Sequence, residues 1–486
     1  MPTNKTQVAV VGAGAAGLYT ALCAARHGAN VTLVSATPLA ESSSYWAQGG
    51  LAAALASDDS PDRHLADTLA AGRGSVSEAA ARVLCHEAPA AVEDLAALGV
   101  RFDADRHGRF ALGLEGGHSA RRVVHAGGAA TGRRVVRQLS ALVAQDERIE
   151  VLERRRVAAV VTDGERATGV ELDDGSVLAG AAIVLATGGA AALWSRTTNP
   201  PGAIGGGLLL AFDAGAQLAD LELMQFHPTA VVGADGADGF LVTEAVRGEG
   251  ARLRDSSGQR FVDELAPRDE VARAVQKQID STGSSSVGLD MRDVDPALFP
   301  NVVSALRRAG IDPQRELIPV APAAHYMMGG IATDLHGRCT LAGLYAVGEC
   351  SCTGLHGANR LASNSLSECF VFGARAARAA AAETGQAVAP GGTPPETGSR
   401  PGVPAATADS RLALWRYAGL ERSAEGLGTL ASDPYPLVRL IARSALARRE
   451  SRGAHQRTDF PQRDPELDGV HVTLGQAGEP ALARWP

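Results

Sequence analysis

The period of the apolar pattern changes from strand-like to helix-like at the start of the chain. Gln7–Val11 is a short apolar run that predicts a buried strand, and the pattern after it predicts a helix that reaches about Arg26. Gly28 is typical of a helix end, and Val31–Val34 predicts the next strand. This opening therefore indicates a β-α-β unit, which joins two parallel strands.

Apolar runs of the same kind recur far along the chain. Ile183–Ala186 and Leu344–Val347 predict further buried strands, each followed closely by glycine. A helix is predicted from about Ser365 to Ala382, and Ser365-x-x-Glu368 has the form of a capping box. Such strands on both sides of the middle region indicate an α/β domain in two segments, with another domain inserted between them.

Local composition completes the predicted division. Residues 1–220 and 327–388 form the α/β domain, 221–326 the inserted domain, 389–410 a linker rich in Pro, Gly and Thr, and 411–486 a helical C-terminal domain. Pro436–Glu450 has apolar residues at helical spacing. Four arginines lie between them, a pattern typical of a solvated face or a subunit contact: Arg439, Arg443, Arg448 and Arg449.

Composition excludes several classes of function. The 486 residues carry a formal net charge of −8, which argues against a nucleic-acid partner. The six cysteines form no CxxC pair, and we expect no metal site. No apolar segment reaches the roughly 18 residues that a membrane helix needs, and the N-terminal residues lack a signal-peptide pattern. We therefore expect a cytoplasmic protein that has no membrane partner.

A glycine fingerprint lies between the first strand and the first helix. Gly12-x-Gly14-x-x-Gly17 in this context is typical of a dinucleotide site, where glycines let the backbone approach a pyrophosphate. The helix N-terminus adds free N–H groups and a partial positive charge. One departure is that the second strand ends in Ser35, where an acid usually holds the ribose hydroxyls. The fingerprint predicts bound FAD or NAD.

Nine longer motifs resemble one family. Together they are similar to the succinate dehydrogenase/fumarate reductase flavoprotein superfamily and, within it, to the L-aspartate oxidase family. The motifs are YWAQGG (45–50), EGGHS (115–119), ATGG (186–189), QFHPTA (225–230), TEAVRGEGA (243–251), LAPRD (265–269), PAAHYMMGGI (322–331), GLHGANRLASNSL (354–366) and RRESRGAH (448–455). The resemblance implies an α/β fold: an FAD-binding Rossmann-like domain in two segments, an inserted α+β capping domain and a C-terminal helical domain.

The resemblance also implies a reaction. It is the oxidation of L-aspartate to iminoaspartate by hydride transfer to FAD, which O2 or fumarate then reoxidises. In the family this is the first step of NAD biosynthesis, and the functional partner is quinolinate synthase. Two alternatives remain: a soluble fumarate reductase or succinate dehydrogenase flavoprotein, and a non-catalytic flavin-binding protein on the same fold.

Site residues carry over from the family motifs. Arg268 is implied as the proton donor or acceptor and Glu244 as the acid that relays the proton to it. Arginine is a poor acid in isolation because its pKa is above about 12. The substrate carboxylates are implied to bind His227, His325 and Arg360, with help from Thr243. From the residues alone, Glu244 and Arg247 would read as a surface i,i+3 ion pair.

Glu115 raises a separate question, because it precedes two glycines in a segment rich in positive charge. A pocket made only of Arg and His would attract two carboxylates but repel the ammonium of aspartate. We therefore predict that Glu115 binds the amino group. The alternative is that Glu115 pairs with Arg121 or Arg122 on the surface.

The cofactor contacts are also implied by the resemblance. FAD is expected to be non-covalent, because Ser43 occupies the position where relatives in membrane complexes have the linking histidine. Gly206 occupies the position of a family aspartate, and the C-terminal domain is shorter than usual. The implied FAD-binding residues are Gly12, Ala13, Gly14, Ala15, Ala16, Gly17, Ser35, Ser43, Ser44, Tyr45, Trp46, Ala47, Gln48, Gly49, Gly50, Val157, Thr187, Gly188, Glu349, Ser365 and Leu366.

Overall fold

The computed structural model describes residues 6–234, 236–383 and 405–485. Of the predicted linker, residues 389–404 lie outside the described residues. The described strands are β1 (Gln7–Val11), β2 (Asn30–Ser35), β3 (Leu51–Ala52), β4 (Leu112–Gly113), β5 (Val123–Val124), β6 (Ile149–Glu153), β7 (Val157–Thr162), β8 (Ala167–Leu172), β9 (Val177–Ala179), β10 (Ala182–Leu185), β11 (Leu218–Ala219), β12 (Met224–Val231), β13 (Arg252–Arg254), β14 (Val287–Asp290), β15 (Ile318–Met327), β16 (Gly330–Ala332), β17 (Leu344–Ala346), β18 (Ser351–Cys352), β19 (Val470–Leu474) and β20 (Pro480–Arg484). The described α-helices are α1 (Ala15–Arg26), α2 (Pro61–Ala71), α3 (Glu78–Ala97), α4 (Thr131–Gln145), α5 (Gly206–Asp213), α6 (Glu244–Gly248), α7 (Arg268–Thr282), α8 (Pro300–Arg308), α9 (Asn364–Ala381), α10 (Ala408–Tyr417), α11 (Ala424–Thr429) and α12 (Pro436–Ala447).

A parallel sheet of five strands forms the centre of the α/β domain, in the order β17-β10-β1-β2-β6. The four predicted strand regions and the helix between the first two are confirmed to within a residue. After β1 the chain continues to β2 on one side of it in the sheet, whereas β17, the next strand of the sheet after β10, lies on the other side. A crevice therefore opens at the carboxyl ends of β1 and β10. Gly12 forms the floor of that crevice, with φ +110° and no room for a Cβ, which would lie 2.3 Å from Ala186 O.

The inserted region contains an antiparallel sheet of four strands, in the order β12-β15-β14-β13. Its apolar residues and those of α7 and α8 form a separate core. The first and last strands of this region, β12 and β15, pair with each other, so both its entry and its exit lie beside the α/β domain. This pairing places the histidines of the two strands close together.

The C-terminal region contains the predicted helices. It also contains a β-hairpin, which was not predicted. Strands β19 and β20 pair with each other, and β19 joins β11 in a sheet that continues to β16 and β18. Strand β19 is buried along its whole length, because it lies between β11 and β20 and packs against helix α12. The end of the chain is therefore part of the sheet structure around the insertion point.

Two predictions about local structure are wrong. The helix α9 begins at Asn364 with Ser363 before it, and Glu368 accepts a hydrogen bond from Tyr326 Oη at 2.7 Å instead of capping the helix. The capping box therefore does not form, because a buried tyrosine uses the carboxylate. Arg448, predicted to be solvated or at a subunit contact, is buried within the chain. Within the described residues, no helix is long and apolar enough to cross a membrane.

Candidate active site

The glycine fingerprint lies beside the segment 43–50 in the crevice of the parallel sheet. Gly14 precedes α1, and Ala15 N donates a hydrogen bond to Ser44 Oγ at 3.1 Å. Gly17 packs against the fingerprint backbone, where a Cβ would lie 1.9 Å from Gly12 O. The helix therefore starts close to the strand and directs its free N–H groups into the crevice.

The residues present fit an FAD molecule in this crevice. Thr187 Oγ1 and Gln48 Oε1 are buried without a hydrogen-bond partner, and both lie in predicted cofactor segments. Gly188 has φ +74°, and a Cβ placed there would meet nothing within 4 Å. Buried polar groups are normally satisfied, so these oxygens match the hydroxyl, amide and phosphate groups of a dinucleotide.

The other predicted cofactor residues lie around the same crevice, with one outlier. Arg155 N donates to Ser35 O at 3.0 Å, which places the start of β7, and so Val157, near the end of β2. The hydroxyl of Ser35 donates to Thr37 O at 2.6 Å. Trp46 is 68% exposed, so its ring faces solvent.

Glu349 and the start of α9 form the wall next to the inserted region. Glu349 Oε1 accepts a hydrogen bond from Met327 N at 3.0 Å, and burial raises the pKa of this carboxyl to about 7. Ser365 lies in the first turn of α9, and Leu366 is buried beside it. The first turn of α9 therefore presents its N-terminal N–H groups at this wall.

Two histidines face each other on β12 and β15. The rings of His227 and His325 are 5.1 Å apart in an edge-to-face arrangement. Thr229 N donates to His227 Nδ1 at 3.3 Å, so Nε2 carries the proton, and this buried atom has no partner. Burial and the charge of Arg268 lower the pKa of both imidazoles well below the usual value. His227 is therefore a neutral hydrogen-bond donor.

Sequence reasoning missed the two residues that orient His325. Thr198 Oγ1 lies 2.7 Å from His325 Nδ1, and Asn199 Nδ2 donates to His325 O at 2.6 Å. Both belong to a loop more than a hundred residues earlier in the chain. Only the fold brings that loop to β15, so the sequence carried no signal for the contact.

Arg360 is a buried guanidinium that has no carboxylate within ion-pair distance among the described residues. Its Nη1 contacts Leu361 O and Ser365 Oγ at 3.4 and 3.3 Å, while Nε has no partner. The guanidinium lies over the ring of Tyr326, 4.5 Å from the centroid. Burial and the charge of Arg268 lower the pKa of Arg360 to about 10. It therefore remains a cation with free donor capacity.

Arg268 and Glu244 form a buried pair in the inserted region. Arg268 Nε donates to Glu244 Oε2 at 2.6 Å, and Arg247 Nη2 lies 3.6 Å from Glu244 Oε1. Thr243 precedes α6 and is buried, and its side chain makes no capping hydrogen bond. Reading Glu244 and Arg247 as a surface pair is wrong, because both side chains are at most 1% exposed.

Gln225 connects this pair to Arg360 and was also missed. Its Oε1 accepts from Arg268 Nη1 at 3.3 Å, and its Nε2 donates to Asn359 Oδ1 and to Arg360 O at 3.0 and 2.8 Å. Gln225 and His227 are two apart on one strand, so they share a face of β12. That alternation was the available signal, because it places both side chains toward the site.

Glu115 lies inside the site, 2% exposed. Ser363 Oγ donates to Glu115 Oε2 at 2.7 Å, and His125 Nε2 lies 3.5 Å from Oε1. Burial opposes ionisation, but His125, Ser363 and the charge of Arg268 outweigh it and hold the pKa of the carboxyl at about 2. Glu115 is therefore an anion next to the cationic groups of the site.

Arg121 and Arg122, the alternative surface partners of Glu115, pair with other acids. Arg122 is buried and pairs with Asp59 and Asp67, and Arg121 pairs with Glu249 at 3.4 Å. A surface ion pair therefore does not account for Glu115. The next residue, Gly116, donates its N–H to Glu244 Oε1 at 2.9 Å, which ties the segment to the Arg268 pair.

Family models and solved structures match this fold and site. The chain matches an FAD binding domain over residues 7–366 and a fumarate reductase flavoprotein C-terminal region over residues 433–482. A structure of E. coli quinol fumarate reductase FrdA superposes with a TM-score of 0.86 at 28% identity, covering 99% of this chain and 97% of that one. Mycobacterium smegmatis Sdh1 gives 0.80 at 29% identity, covering 96% and 91%. The chain is therefore an FAD-binding flavoprotein of the succinate dehydrogenase/fumarate reductase class.

The sequence relatives are more specific than the structural ones. L-aspartate oxidase from Caulobacter vibrioides is 47% identical, with 97% of each chain covered. The enzyme of that name from Streptomyces coelicolor is 41% identical over 96% of this chain and 91% of its own, and that from Mycobacterium tuberculosis 42% over 97% and 96%. The chain belongs to the L-aspartate oxidase family.

Proposed function

We propose that the protein oxidises L-aspartate to iminoaspartate with FAD as the cofactor. The observation that carries the proposal is one buried site that combines cationic and neutral donors with an ionised acid, Glu115, whose Oε1 accepts no hydrogen bond. L-aspartate has two carboxylates and one ammonium, and this set of groups complements all three. The family relationship supports the same substrate.

The carboxylates of the substrate bind to buried donors that keep free hydrogen-bonding capacity. Arg360 is placed to bind one carboxylate through its planar fork, the geometry that suits arginine to this task. His227 Nε2 donates a hydrogen bond as a neutral imidazole, and His325 and Thr243 assist. An unpartnered buried donor is costly to the folded protein, so filling it with substrate contributes to binding.

Glu115 binds the substrate ammonium and so distinguishes aspartate from succinate. Without an acid, the charges of Arg268 and Arg360 would repel the ammonium. Glu115 Oε1 has no hydrogen-bond partner, and the carboxyl is ionised at neutral pH. The amino acid is thus attracted by the same site that attracts its two carboxylates.

Proton transfer is assigned to Arg268 and Glu244. The ammonium has to lose a proton before its carbon can lose a hydride, and Arg268, already a cation, can take that proton only as it passes its own Nε proton to the Glu244 carboxylate. Arg268 is held by Glu244 at 2.6 Å and lies near the further cation Arg247, whose pKa burial lowers. Bound FAD supplies the hydride acceptor. In fumarate reduction the same pair delivers a proton to the substrate carbon.

The relay assignment is tested by Arg268→Lys, which keeps the charge but loses the planar fork. We expect fumarate reduction to fall at least about 10²-fold, since positioned proton transfer contributes about that much. Dicarboxylate binding, followed by the flavin spectrum, should change far less. Turnover near the wild-type rate would contradict the assignment.

FAD is held without a covalent bond in this proposal. Ser43 is in the segment next to α1, and its hydroxyl cannot form the histidyl link of the membrane-complex relatives. Acid precipitation should release all of the yellow flavin into the supernatant. Flavin that stays with the polypeptide would overturn this point.

The setting of the reaction follows from the family and remains part of the proposal. The reduced flavin is reoxidised by O2 or fumarate, and the iminoaspartate is passed to quinolinate synthase in a cytoplasmic route to NAD. Such a route requires an enzyme that distinguishes aspartate from dicarboxylates without an amino group, such as succinate and fumarate. Oxygen and fumarate consumption by the purified enzyme measure the two acceptors directly.

A soluble fumarate reductase is the second candidate, which shares the fold with a TM-score of 0.86 to a fumarate reductase flavoprotein but is not favoured by the sequence relatives. One experiment separates the two functions. The purified flavoprotein is mixed anaerobically with L-aspartate or with succinate, and flavin absorbance is followed. Bleaching by aspartate alone supports aspartate oxidation, whereas bleaching by succinate alone would support the second candidate and overturn the first.

A further inference from the structure

We propose that Ser363 is a positioning residue that holds Oε2 of Glu115 and thereby presents Oε1 to the amino group of the substrate. The inference rests on the proposed function and deepens it, because it assigns amino-acid selectivity to a second side chain. Ser363 lies three residues after the carboxylate-binding Arg360. Its role is separate from that of Arg360, because it acts on Glu115 and not on the substrate.

The backbone at Ser363 is the first observation. Ser363 immediately precedes α9 and has φ 60° and ψ 0°, the left-handed region that serine rarely adopts. A serine before a helix usually accepts hydrogen bonds from the first turn, but this side chain makes no such bond. Both the backbone conformation and the unused cap are unfavourable locally, so something else must hold the residue in place.

The direction of the hydroxyl is the second observation. Ser363 Oγ donates to Glu115 Oε2 at 2.7 Å, across a sequence separation of 248 residues. Both side chains are buried, at 5% and 2% exposed. A hydrogen bond to a charged acceptor is stronger than one to a neutral acceptor. The cost at the start of α9 is therefore offset by a charged hydrogen bond in the site.

The two oxygens of Glu115 consequently have different surroundings. Oε2 accepts the serine hydroxyl, while Oε1 is buried without a hydrogen-bond partner. The groups that face the carboxylate are His125, whose Nε2 lies 3.5 Å from Oε1, and the charge of Arg268. Oε1 also lies 3.9 Å from the position of a Cβ built on Gly49, in the predicted flavin segment. The free oxygen is thus on the side of the cofactor.

Loss of the serine hydroxyl releases the carboxylate to move closer to His125, now 3.5 Å from Oε1, or to rotate toward Arg268. Those partners would occupy the oxygen that the ammonium needs. The effect is specific to substrates that carry an amine, because fumarate has no group that binds Glu115. A role in helix stability or FAD retention would instead affect both substrates alike.

The test compares Ser363→Ala and Ser363→Gly in the FAD-loaded enzyme. Alanine keeps the unfavourable left-handed backbone, whereas glycine adopts it freely. We expect both variants to lose about tenfold or more in kcat/KM for L-aspartate, as for a hydrogen bond to a charged group. Fumarate reduction should fall less than about threefold. Restored aspartate turnover in Ser363→Gly alone would overturn the proposal, because backbone strain would then explain the loss.

A double-mutant cycle with Glu115→Gln gives the decisive readout. In the Glu115→Gln background, Ser363→Ala should cause little further loss of aspartate oxidation. Additive losses, equal losses for fumarate and aspartate, or loss of FAD from both Ser363 variants would each overturn the proposal. If the wild type does not oxidise aspartate, the proposed function fails first; if it does and the cycle is additive, only this inference fails.

Discussion

Two clusters of buried charged side chains differ in how fully they are paired. The first is the C-terminal cluster, formed by Asp220, Glu222, Arg448, Glu450 and Arg452. Each nitrogen of the Arg448 guanidinium donates to an acceptor: Nε to Glu222 at 2.6 Å, Nη1 to Glu450 at 3.1 Å, and Nη2 to the carbonyl of β19 at 2.9 Å. Arg452 donates to both oxygens of Glu450. This cluster has no capacity left for a ligand.

The second cluster is the site itself, and it leaves buried atoms without hydrogen-bond partners. They are Arg360 Nε, His227 Nε2, Glu115 Oε1 and two nitrogens of Arg247. Native proteins rarely tolerate such atoms unless a ligand or a function requires them. The contrast shows that burial of charge does not itself identify a site. Several incompletely paired charged and imidazole groups close together are the stronger indication, because a substrate with complementary charges can complete their pairing.

The largest effect is expected from breaking the paired cluster. Arg448→Leu leaves Glu222 buried without its cation and Glu450 with Arg452 alone, and removing one member of a buried pair costs about 3–5 kcal/mol. Unfolding in urea should show that loss in the free energy of unfolding. The matched control is the neighbouring exposed arginine, Arg449→Leu, which should change stability by less than about 0.5 kcal/mol. Equal changes in the free energy of unfolding for the two variants would contradict the special contribution of the buried Arg448.

Arg360→Leu should have the opposite profile. It removes a buried cation that has no acid partner, so the free energy of unfolding should change little or even rise. Losing the clamp on a substrate carboxylate should weaken aspartate binding by about 2–5 kcal/mol. Titration of the oxidised flavin spectrum with a dicarboxylate measures this, and Arg360→Lys tests whether charge alone suffices. If Arg360→Leu strongly lowered the free energy of unfolding but left dicarboxylate binding normal, Arg360 would have a structural role and no role in substrate binding.

Glu115→Gln sharpens the comparison within the site. We expect aspartate oxidation to fall by about one to three orders of magnitude, as for loss of a desolvated charge pair. Fumarate reduction should fall much less, because fumarate has no ammonium. Glu249→Gln, in a partly exposed acid that pairs with Arg121, serves as the control. Equal losses in both reactions would show that Glu115 supports the site generally.

The smallest effect concerns the pH dependence of the apoprotein. Because the pKa of Glu349 is raised to about 7, the folded chain keeps a proton that the unfolded chain loses near its ordinary pKa. Stability from this group is therefore present at low pH and lost as pH rises toward 7. Between pH 6 and pH 8, wild type should lose about 1 kcal/mol relative to Glu349→Gln, measured by urea unfolding. Parallel pH profiles would contradict this assignment.

Local patterns were sufficient for some of these features and not for others. The β1–α1–β2 unit was predictable because its period, its glycines and its helix end lie within one short stretch. Gln225, Thr198 and Ser363 were missed because their partners lie 43 to 248 residues away along the chain. The burial of Arg448 was missed for the same reason, since an arginine on a helix carries no local sign of a distant acid.

The main-chain hydrogen bond of Gly116 has a consequence for redesign. Glu115, the acid proposed to bind the amine, and Gly116, whose amide donates to Glu244, are adjacent residues, but only Glu115 contributes a side chain. A Cβ on Gly116 would lie 2.1 Å from Glu244 Oε1, so residue 116 has to remain glycine. Position 115 already has a side chain, although its burial limits the size of a replacement. An engineer could therefore vary the side chain at 115 to admit substrates with other substituents, while the proton-transfer apparatus keeps its support.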